Sequence, residues 1–212
     1  MMNSKAIAVM VSGHGTNLKV ILEAVAAGAC PVDVRLVISD KADAGALQIA
    51  HDGGVAHVIH LNPKDYPDRA LFDAACADLI DQHGCQWIVL AGYMRILSSF
   101  FVRRFPRRII NIHPAILPAF PGAKAVEDAL AYGVKASGCT VHLVDEVLDG
   151  GSILAQSIVP VLDDDTRDSL HARIQKEEHK LYPATLRRMV EDGFSIVGRT
   201  VIWNANHSRL DQ

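Results

Sequence analysis

Asn111 and His113 close the apolar run Arg108-Ile109-Ile110-Asn111-Ile112-His113, and two prolines follow in Pro114-Ala115-Ile116-Leu117-Pro118. An amide supplies hydrogen-bond donors and an imidazole moves protons near neutral pH, so this pair can do chemistry. Ile109, Ile110 and Ile112 are β-branched and read as a buried strand, while Pro114 has no N–H with which to extend a ladder. Asn111 and His113 therefore fall at the strand's last residues and, being two apart, on one face. Together they aim past the carboxyl edge of a sheet, where open α/β sheets hold ligands. In isolation Asn-x-His-Pro also reads as a turn, since Asn and Pro both favour one. The surrounding elements decide between the two.

Those elements come in a βαβα rhythm. Ala6–Ser12 reads as a buried strand that runs into Gly13-His14-Gly15-Thr16-Asn17-Leu18 and a helical pattern through Ala27. Such a turn presents backbone N–H groups and a helix N-terminus to an anion, which suits a single phosphate. No third glycine stands at Asn17, Leu18 or Lys19, and no Gly-Lys-Ser/Thr follows, so a nicotinamide or flavin cofactor is disfavoured and the Walker pattern is absent. Val32–Ser39, Val55–His60 and Trp87–Ala91 read as further strands, with helices to about His51, from about Pro67 to Gln82, and over Phe100–Phe105. The fourth strand delivers Met94, Ile96 and Leu97 around Arg95, which suits a pocket for a flat ring but also plain core packing.

Beyond the Asn-x-His pair a helix is expected from about Lys124 to Tyr132. Strands at Gly138–Val144 and Ile153–Pro160 flank Asp145-Glu146-Val147-Leu148-Asp149-Gly150-Gly151, a connection too short for a helical crossover, so they read as an antiparallel hairpin. Asp164-Asp165-Thr166 caps a long helix ending near Asp192-Gly193, Phe194–Trp203 is one last hairpin or edge strand, and Asn204–Gln212 is expected to fray. The fold expected is α/β: a Rossmann-like, mostly parallel twisted sheet with helices on both faces and an antiparallel C-terminal part. Residues 1–212 read as one domain, with a phosphate-binding Rossmann-like half over 1–105 and, over 106–212, a catalytic half that also binds the second ligand.

Composition narrows the function. At 212 residues the chain buries roughly 70% of its unfolded surface on folding and needs neither disulfides nor metal to do so. A formal charge of −3 gives no global attraction to nucleic acid, although Arg103, Arg104, Arg107 and Arg108 cluster locally. The four cysteines form no C-x-x-C pair, as expected of reduced thiols. Ala6–Val11 is too short for a signal-peptide core and no run of eighteen apolar residues follows, so a cytoplasmic protein without a membrane span is expected. His51, His57 and His60 lie on different elements and lack an i, i+4 pair, so no metal site is expected.

Taken together, Ser12-Gly13-x-Gly15-Thr16-Asn17-Leu18, Ala91-Gly92-Tyr93-Met94-Arg95-Ile96-Leu97, Asn111-Ile112-His113-Pro114-x-x-Leu117-Pro118 and Leu148-Asp149-Gly150-Gly151 resemble the phosphoribosylglycinamide formyltransferases, folate-dependent enzymes of purine synthesis. Ser39-Asp40-Lys41-Ala42-Asp43-Ala44 and Gln175-Lys176-Glu177-Glu178-His179-Lys180-Leu181-Tyr182-Pro183 extend the likeness over nearly the whole chain. The resemblance implies transfer of a formyl group from 10-formyltetrahydrofolate, as co-substrate, to the glycine amine of phosphoribosylglycinamide. It implies Asn111, His113 and Asp149 as the catalytic set: an amide facing an oxyanion, joined by the imidazole when that is protonated, with a carboxylate to orient the imidazole and pass a proton. It assigns Gly15, Thr16, Asn17, Gln175 and Glu178 to the ribonucleotide. Arg69, Met94, Arg95, Ile96, Leu97, Val102, Asn111 and Val144 fall to the folate, with Arg69 meeting the glutamate tail. His14 departs from the usual Asn, and Pro121-Gly122-Ala123-Lys124-Ala125-Val126-Glu127 lacks the histidines that often follow Pro-Gly in the family.

Four other readings are weaker. A methionyl-tRNA formyltransferase needs a further C-terminal domain and a basic face, and a formyltetrahydrofolate hydrolase typically carries an added N-terminal regulatory domain. A non-catalytic phosphate- or nucleotide-binding module would leave Asn111, His113 and Asp149 as turn residues. A nicotinamide oxidoreductase lacks its third glycine. No nucleic-acid or membrane partner is expected, and the sequence leaves monomer and homodimer both open.

Overall fold

The sheet is built around β1 (Lys5–Val11), whose run Ala6–Val11 is buried on both faces, as in a parallel strand covered by helices above and below. The computed structural model describes residues 5–204. Around β1 stand β2 (Val32–Ser39), β3 (His57–His60), β4 (Trp87–Leu90), β5 (Ile109–His113), β6 (Ala136–Leu143) and β7 (Ile153–Pro160), in the order β3-β2-β1-β4-β5-β6-β7. The first five run parallel, whereas β6 is antiparallel to β5 and β7 to β6. The order reverses between β1 and β4, which opens a crevice at their carboxyl ends. Ser12 ties that crevice together: its amide donates to Gly92 O at 3.2 Å and its hydroxyl accepts from the Met94 amide at 2.9 Å.

Helices cover both faces. On one face α1 (Thr16–Ala26), α2 (Gly45–Asp52), α5 (Ala125–Tyr132) and α6 (Arg167–Glu191) bury Leu18, Ala46, Val126 and Ile174 against the sheet. On the other, α3 (Arg69–Gln82) and α4 (Ser99–Arg104) bury Phe72, Ile80 and Phe101. Each such large side chain contributes about 1.5–3 kcal/mol by leaving water. A separate hairpin, β8 (Phe194–Val197) and β9 (Thr200–Trp203), follows α6.

The long helix fixes the geometry of the reactive edge. Tyr182 of α6 is fully buried, and its hydroxyl lies 3.1 Å from both Leu90 O and Ile110 O. One hydroxyl proton thus serves two carbonyls, on β4 and on β5, and locks α6 under the strand that carries Asn111. Gln175, Glu178 and Tyr182, at spacings of three and four, share one face of α6, so the same contact sets the height of the first two.

The expected fold is the one observed, with local differences. β3 starts at His57 rather than Val55, because the Val55 amide donates to Ala50 O at 3.0 Å and closes α2 instead. α3 starts at Arg69 rather than Pro67, because Asp68 caps it through the Leu71 amide. A 3-10 turn at Pro63–Asp65, capped by Asn62, has no counterpart in the sequence reading. β6 begins at Ala136 rather than Gly138, paired with Pro160. The strand bearing Asn111 has a parallel neighbour on one side only. Most of the tail expected to fray, residues 205–212, lies outside the described residues.

Candidate active site

Asn111, His113, His142 and Asp149 converge at the carboxyl end of β5. His142 sits opposite Asn111 in the β5–β6 register and is almost fully buried. Its Nδ1 lies 2.9 Å from Leu143 O, and since a carbonyl only accepts, Nδ1 carries the proton. Burial holds the imidazole below its ordinary titration range and so neutral. Nε2 is therefore a bare acceptor for the Asn111 amide N–H, 3.2 Å away. The 3.7 Å approach of His142 Nε2 to Asp149 Oδ1 is then no ion pair. One Asn111 N–H is held by His142, and the other remains available as a donor.

His113 is placed by two oxygens. Its Nε2 donates to Phe120 O at 2.8 Å, and Nδ1 faces Asp149 Oδ2 at 3.5 Å. A proton on Nδ1 would make that contact an ion pair between side chains only 6% and 10% exposed. There the attraction is screened far less than at the surface. In this arrangement both ring nitrogens point at protein oxygens.

Asp149 reaches the cluster from the β6–β7 loop in a left-handed conformation, φ 50, which costs a non-glycine residue about 1–2 kcal/mol. The loop supports it: the Val147 amide donates to Asp145 Oδ1 at 2.8 Å, and the Gly150 amide to Val147 O at 2.9 Å. Gly151 is required here, because a Cβ would collide with Leu143 O. Asp149 Oδ2 also accepts from the Gly122 amide at 2.7 Å, which joins the segment after Pro121 to the carboxylate. Lys124, in that segment, is the exposed N-cap of α5.

The glycine loop forms a second cluster. Gly15 precedes α1 with φ 77, and a Cβ there would fall 2.6 Å from Ala46 Cα, so both the backbone angle and the close approach of α2 demand glycine. Thr16 Oγ1 accepts from Gln175 Nε2 at 3.1 Å, and Asn17 Nδ2 donates to Glu178 Oε2 at 3.1 Å. The five residues expected to serve the ribonucleotide are thus brought together where α1 meets α6. Burial raises the Glu178 carboxyl above its usual range, opposed by the Asn17 bond. Asn17 Oδ1 is buried without a partner among the described residues.

The residues expected at the folate are more dispersed. Val102 and Val144 line one cleft of about 400 Å³, together with Leu143 and Gly151. Met94 and Ile96 are 75% and 61% exposed, and Leu97 packs at the edge of the core under α3 and α4. Arg95 lays its guanidinium 4.9 Å from the Phe72 ring and lines a different cleft, with Asp40 and Lys64. Arg69 is exposed at the first residue of α3.

Sequence reasoning missed His142, the Phe120 carbonyl and the Gly122 amide. His142 had a signal, a histidine inside the apolar strand Cys139-Thr140-Val141-His142-Leu143, whereas backbone groups carry none. All four cysteines are buried, and desolvation raises the Cys76 and Cys139 thiols to about 12. Among the described residues, no group of three or more His, Cys, Asp or Glu is set to hold a metal ion, and no helix is long and apolar enough to cross a membrane.

Residues 5–186 match the formyl transferase family model. A phosphoribosylglycinamide formyltransferase of Mycobacterium tuberculosis is 44% identical over 91% of this chain and 88% of its own. The crystal structure of glycinamide ribonucleotide transformylase 1 from Symbiobacterium toebii superposes with a TM-score of 0.92 at 45% identity, covering 95% of both chains. A formyltetrahydrofolate deformylase from Pseudomonas syringae superposes with a TM-score of 0.87 at 27% identity, covering 96% of this chain and 67% of that one. The chain spans only 14% of the length of a trifunctional purine biosynthetic protein of Drosophila melanogaster, to which it is 42% identical. On the strength of the matched span and these likenesses, the chain belongs to the formyl transferase family.

Proposed function

We propose that this protein transfers the formyl group of 10-formyltetrahydrofolate to the glycine amine of 5'-phosphoribosylglycinamide in purine biosynthesis, working in the cytoplasm. The observation that carries the reading is the set Asn111–His142–Asp149–His113, together with the cluster Gly15–Thr16–Asn17–Gln175–Glu178, whose Glu178 carboxyl feels the His113 ring. The loop N–H groups at the start of α1 take the phosphate, and Glu178 accepts from ribose hydroxyls. Residues 1–105 supply the phosphate loop and much of the folate wall, and residues 106–212 supply Asn111, His113, Asp149, Gln175 and Glu178. Val102, Val144 and the segment Met94–Leu97 enclose the pteridine, and Arg69 meets the tail carboxylates.

Attack of the neutral amine on the formyl carbon forms a C–N bond and leaves an oxyanion. The Asn111 N–H that His142 leaves free donates to this oxyanion, and the His113 ring, held by Phe120 O and Asp149, lies beside it. Asp149 accepts the amine proton and passes it to the departing folate nitrogen as the C–N bond to folate breaks. No covalent enzyme intermediate is needed, and the raised thiol pKa values make a cysteine nucleophile unfavourable.

Hydrolysis is the second reading, favoured by the likeness to the Pseudomonas syringae deformylase: water in place of the amine would use the same Asp149. Release of tetrahydrofolate, followed with and without the ribonucleotide, separates the two. Transfer requires the ribonucleotide; equal release without it would establish a hydrolase.

A further inference from the structure

We infer that Arg199, on the β8–β9 hairpin that follows the span matched by the family model, is a positioning residue for Asp149. The family match ends at residue 186, and the hairpin follows it. Arg199 stands at the hairpin's turn and donates from Nη2 to Gly150 O at 2.6 Å. Gly150 is the residue after Asp149.

The hairpin is a firm base for this contact. The Phe194 ring packs edge-on against Trp203 at 5.6 Å and tilted against Trp87 of β4 at 6.0 Å, while the Arg188 guanidinium lies 4.3 Å from the Trp203 ring. The Asn204 amide returns to Gly193 O at 3.1 Å, closing the ribbon onto the end of α6. On the other side of the loop, Arg103 of α4 pairs with Glu146 at 3.1 Å. The loop carrying Asp149 is therefore held near both ends by arginines from two elements, although Val147 and Leu148 between them are exposed.

The need for such a hold comes from the backbone of Asp149. Its left-handed φ of 50 persists only where the surroundings enforce it. Relaxation toward negative φ would swing Gly150 away and break the Arg199 bond, and a bond from a charged donor is about twice as strong as a neutral one. The same relaxation would withdraw the carboxylate from His113 and from the Gly122 amide. Arg199 also lines the cleft that holds Val102 and Val144, but the role inferred for it is exerted through Gly150 O on Asp149.

The inference rests on formyl transfer through Asp149, and its test is a double-mutant cycle on the full chain. Arg199→Ala, Arg199→Lys, Asp149→Asn and Arg199→Ala/Asp149→Asn are compared with wild type in steady-state and single-turnover formyl transfer. Arg199→Ala should lower kcat about tenfold and leave KM for the ribonucleotide unchanged, since that ligand's proposed contacts are on α1 and α6. Arg199→Lys should recover most of the loss, because an ammonium can donate to the same carbonyl. In the Asp149→Asn background, Arg199→Ala should cost less than about twofold, because both changes remove one function. An unchanged kcat in Arg199→Ala, or an equal loss in both backgrounds, overturns the inference while wild-type turnover keeps the function. A wild type that transfers no formyl group overturns both.

Discussion

Asn111 and His142 are cross-strand partners in the β5–β6 ladder, joined side chain to side chain at 3.2 Å. This bond sets the rotation of the amide, so the N–H that the proposed mechanism turns toward the oxyanion is fixed before any ligand arrives. Preorganisation of this kind is what makes an oxyanion donor effective. His142→Phe keeps a buried ring but can neither accept from Asn111 nor donate to Leu143 O. The variant should lose about 1–3 kcal/mol of stability through the unpaired carbonyl, and at least about tenfold in kcat. Denaturant unfolding and steady-state kinetics check both; a normal kcat would show that the Asn111–His142 bond is incidental.

The same residue fixes one pH dependence. Burial lowers the His142 pKa from its ordinary value of 6.5, so below pH 6.5 the unfolded chain takes up a proton that the native imidazole refuses. Native stability should therefore fall as pH drops from 6.5, and the His142→Phe variant should lack that component. Equal slopes of stability against pH in the two proteins would contradict a neutral, buried His142.

Glu178 contributes with the opposite sign. Its carboxyl is raised above the ordinary 4.5 by burial, so the native state holds the proton to higher pH than the unfolded chain does. Stability is greatest below 4.5 and declines as pH rises through the native pKa. Glu178→Gln keeps an acceptor for Asn17 and removes the buried charge, so it should be more stable than wild type at pH 7, with the gap closing as pH falls. KM for the ribonucleotide should rise about tenfold, since a hydroxyl's bond to a charged acceptor is lost. A variant less stable at pH 7, with unaltered KM, would remove Glu178 from the proposed site.

Gly15→Ala places a methyl group 2.6 Å from Ala46 Cα at a backbone φ of 77. The left-handed angle alone costs about 1–2 kcal/mol, and separating α1 from α2 adds to it. The start of α1 should shift and the phosphate-bearing substrate should bind at least about tenfold more weakly, which calorimetric titration would read. Unchanged affinity would mean that the loop does not hold the phosphate.

The four thiols should resist alkylation at pH 8 in the native protein, because all are buried and Cys76 and Cys139 are raised to about 12. Mass spectrometry after iodoacetamide treatment checks this, with the unfolded chain as positive control. Rapid native labelling that abolishes turnover would reopen a thiol mechanism.

What was legible in the sequence follows from how each signal is carried. The apolar runs of β1, β2 and β5 and the glycine loop are local patterns, and they gave the parallel sheet and the α1 turn correctly. The meeting of Thr16 with Gln175 and of Asn17 with Glu178 spans the length of the chain, and only the family resemblance anticipated it. His142 escaped because its partner Asn111 is defined by strand register, and the pairing of β5 with β6 is not written in either strand alone. Phe120 O, Gly122 N and Gly150 O are backbone groups, and their roles depend on where loops fold and not on which residues fill them. Folate recognition was read largely from resemblance, and the exposed Met94 and Ile96 show how little of that surface forms a packed wall.

The central claim is best tested by following a labelled formyl carbon from 10-formyltetrahydrofolate in the presence of phosphoribosylglycinamide, for wild type and Asp149→Asn in parallel. The account predicts label in the ribonucleotide, equal to the tetrahydrofolate formed, and a rate lower by on the order of 10²–10³ in Asp149→Asn. Label appearing as free formate at the same rate with or without the ribonucleotide, or undiminished transfer by Asp149→Asn, would contradict it.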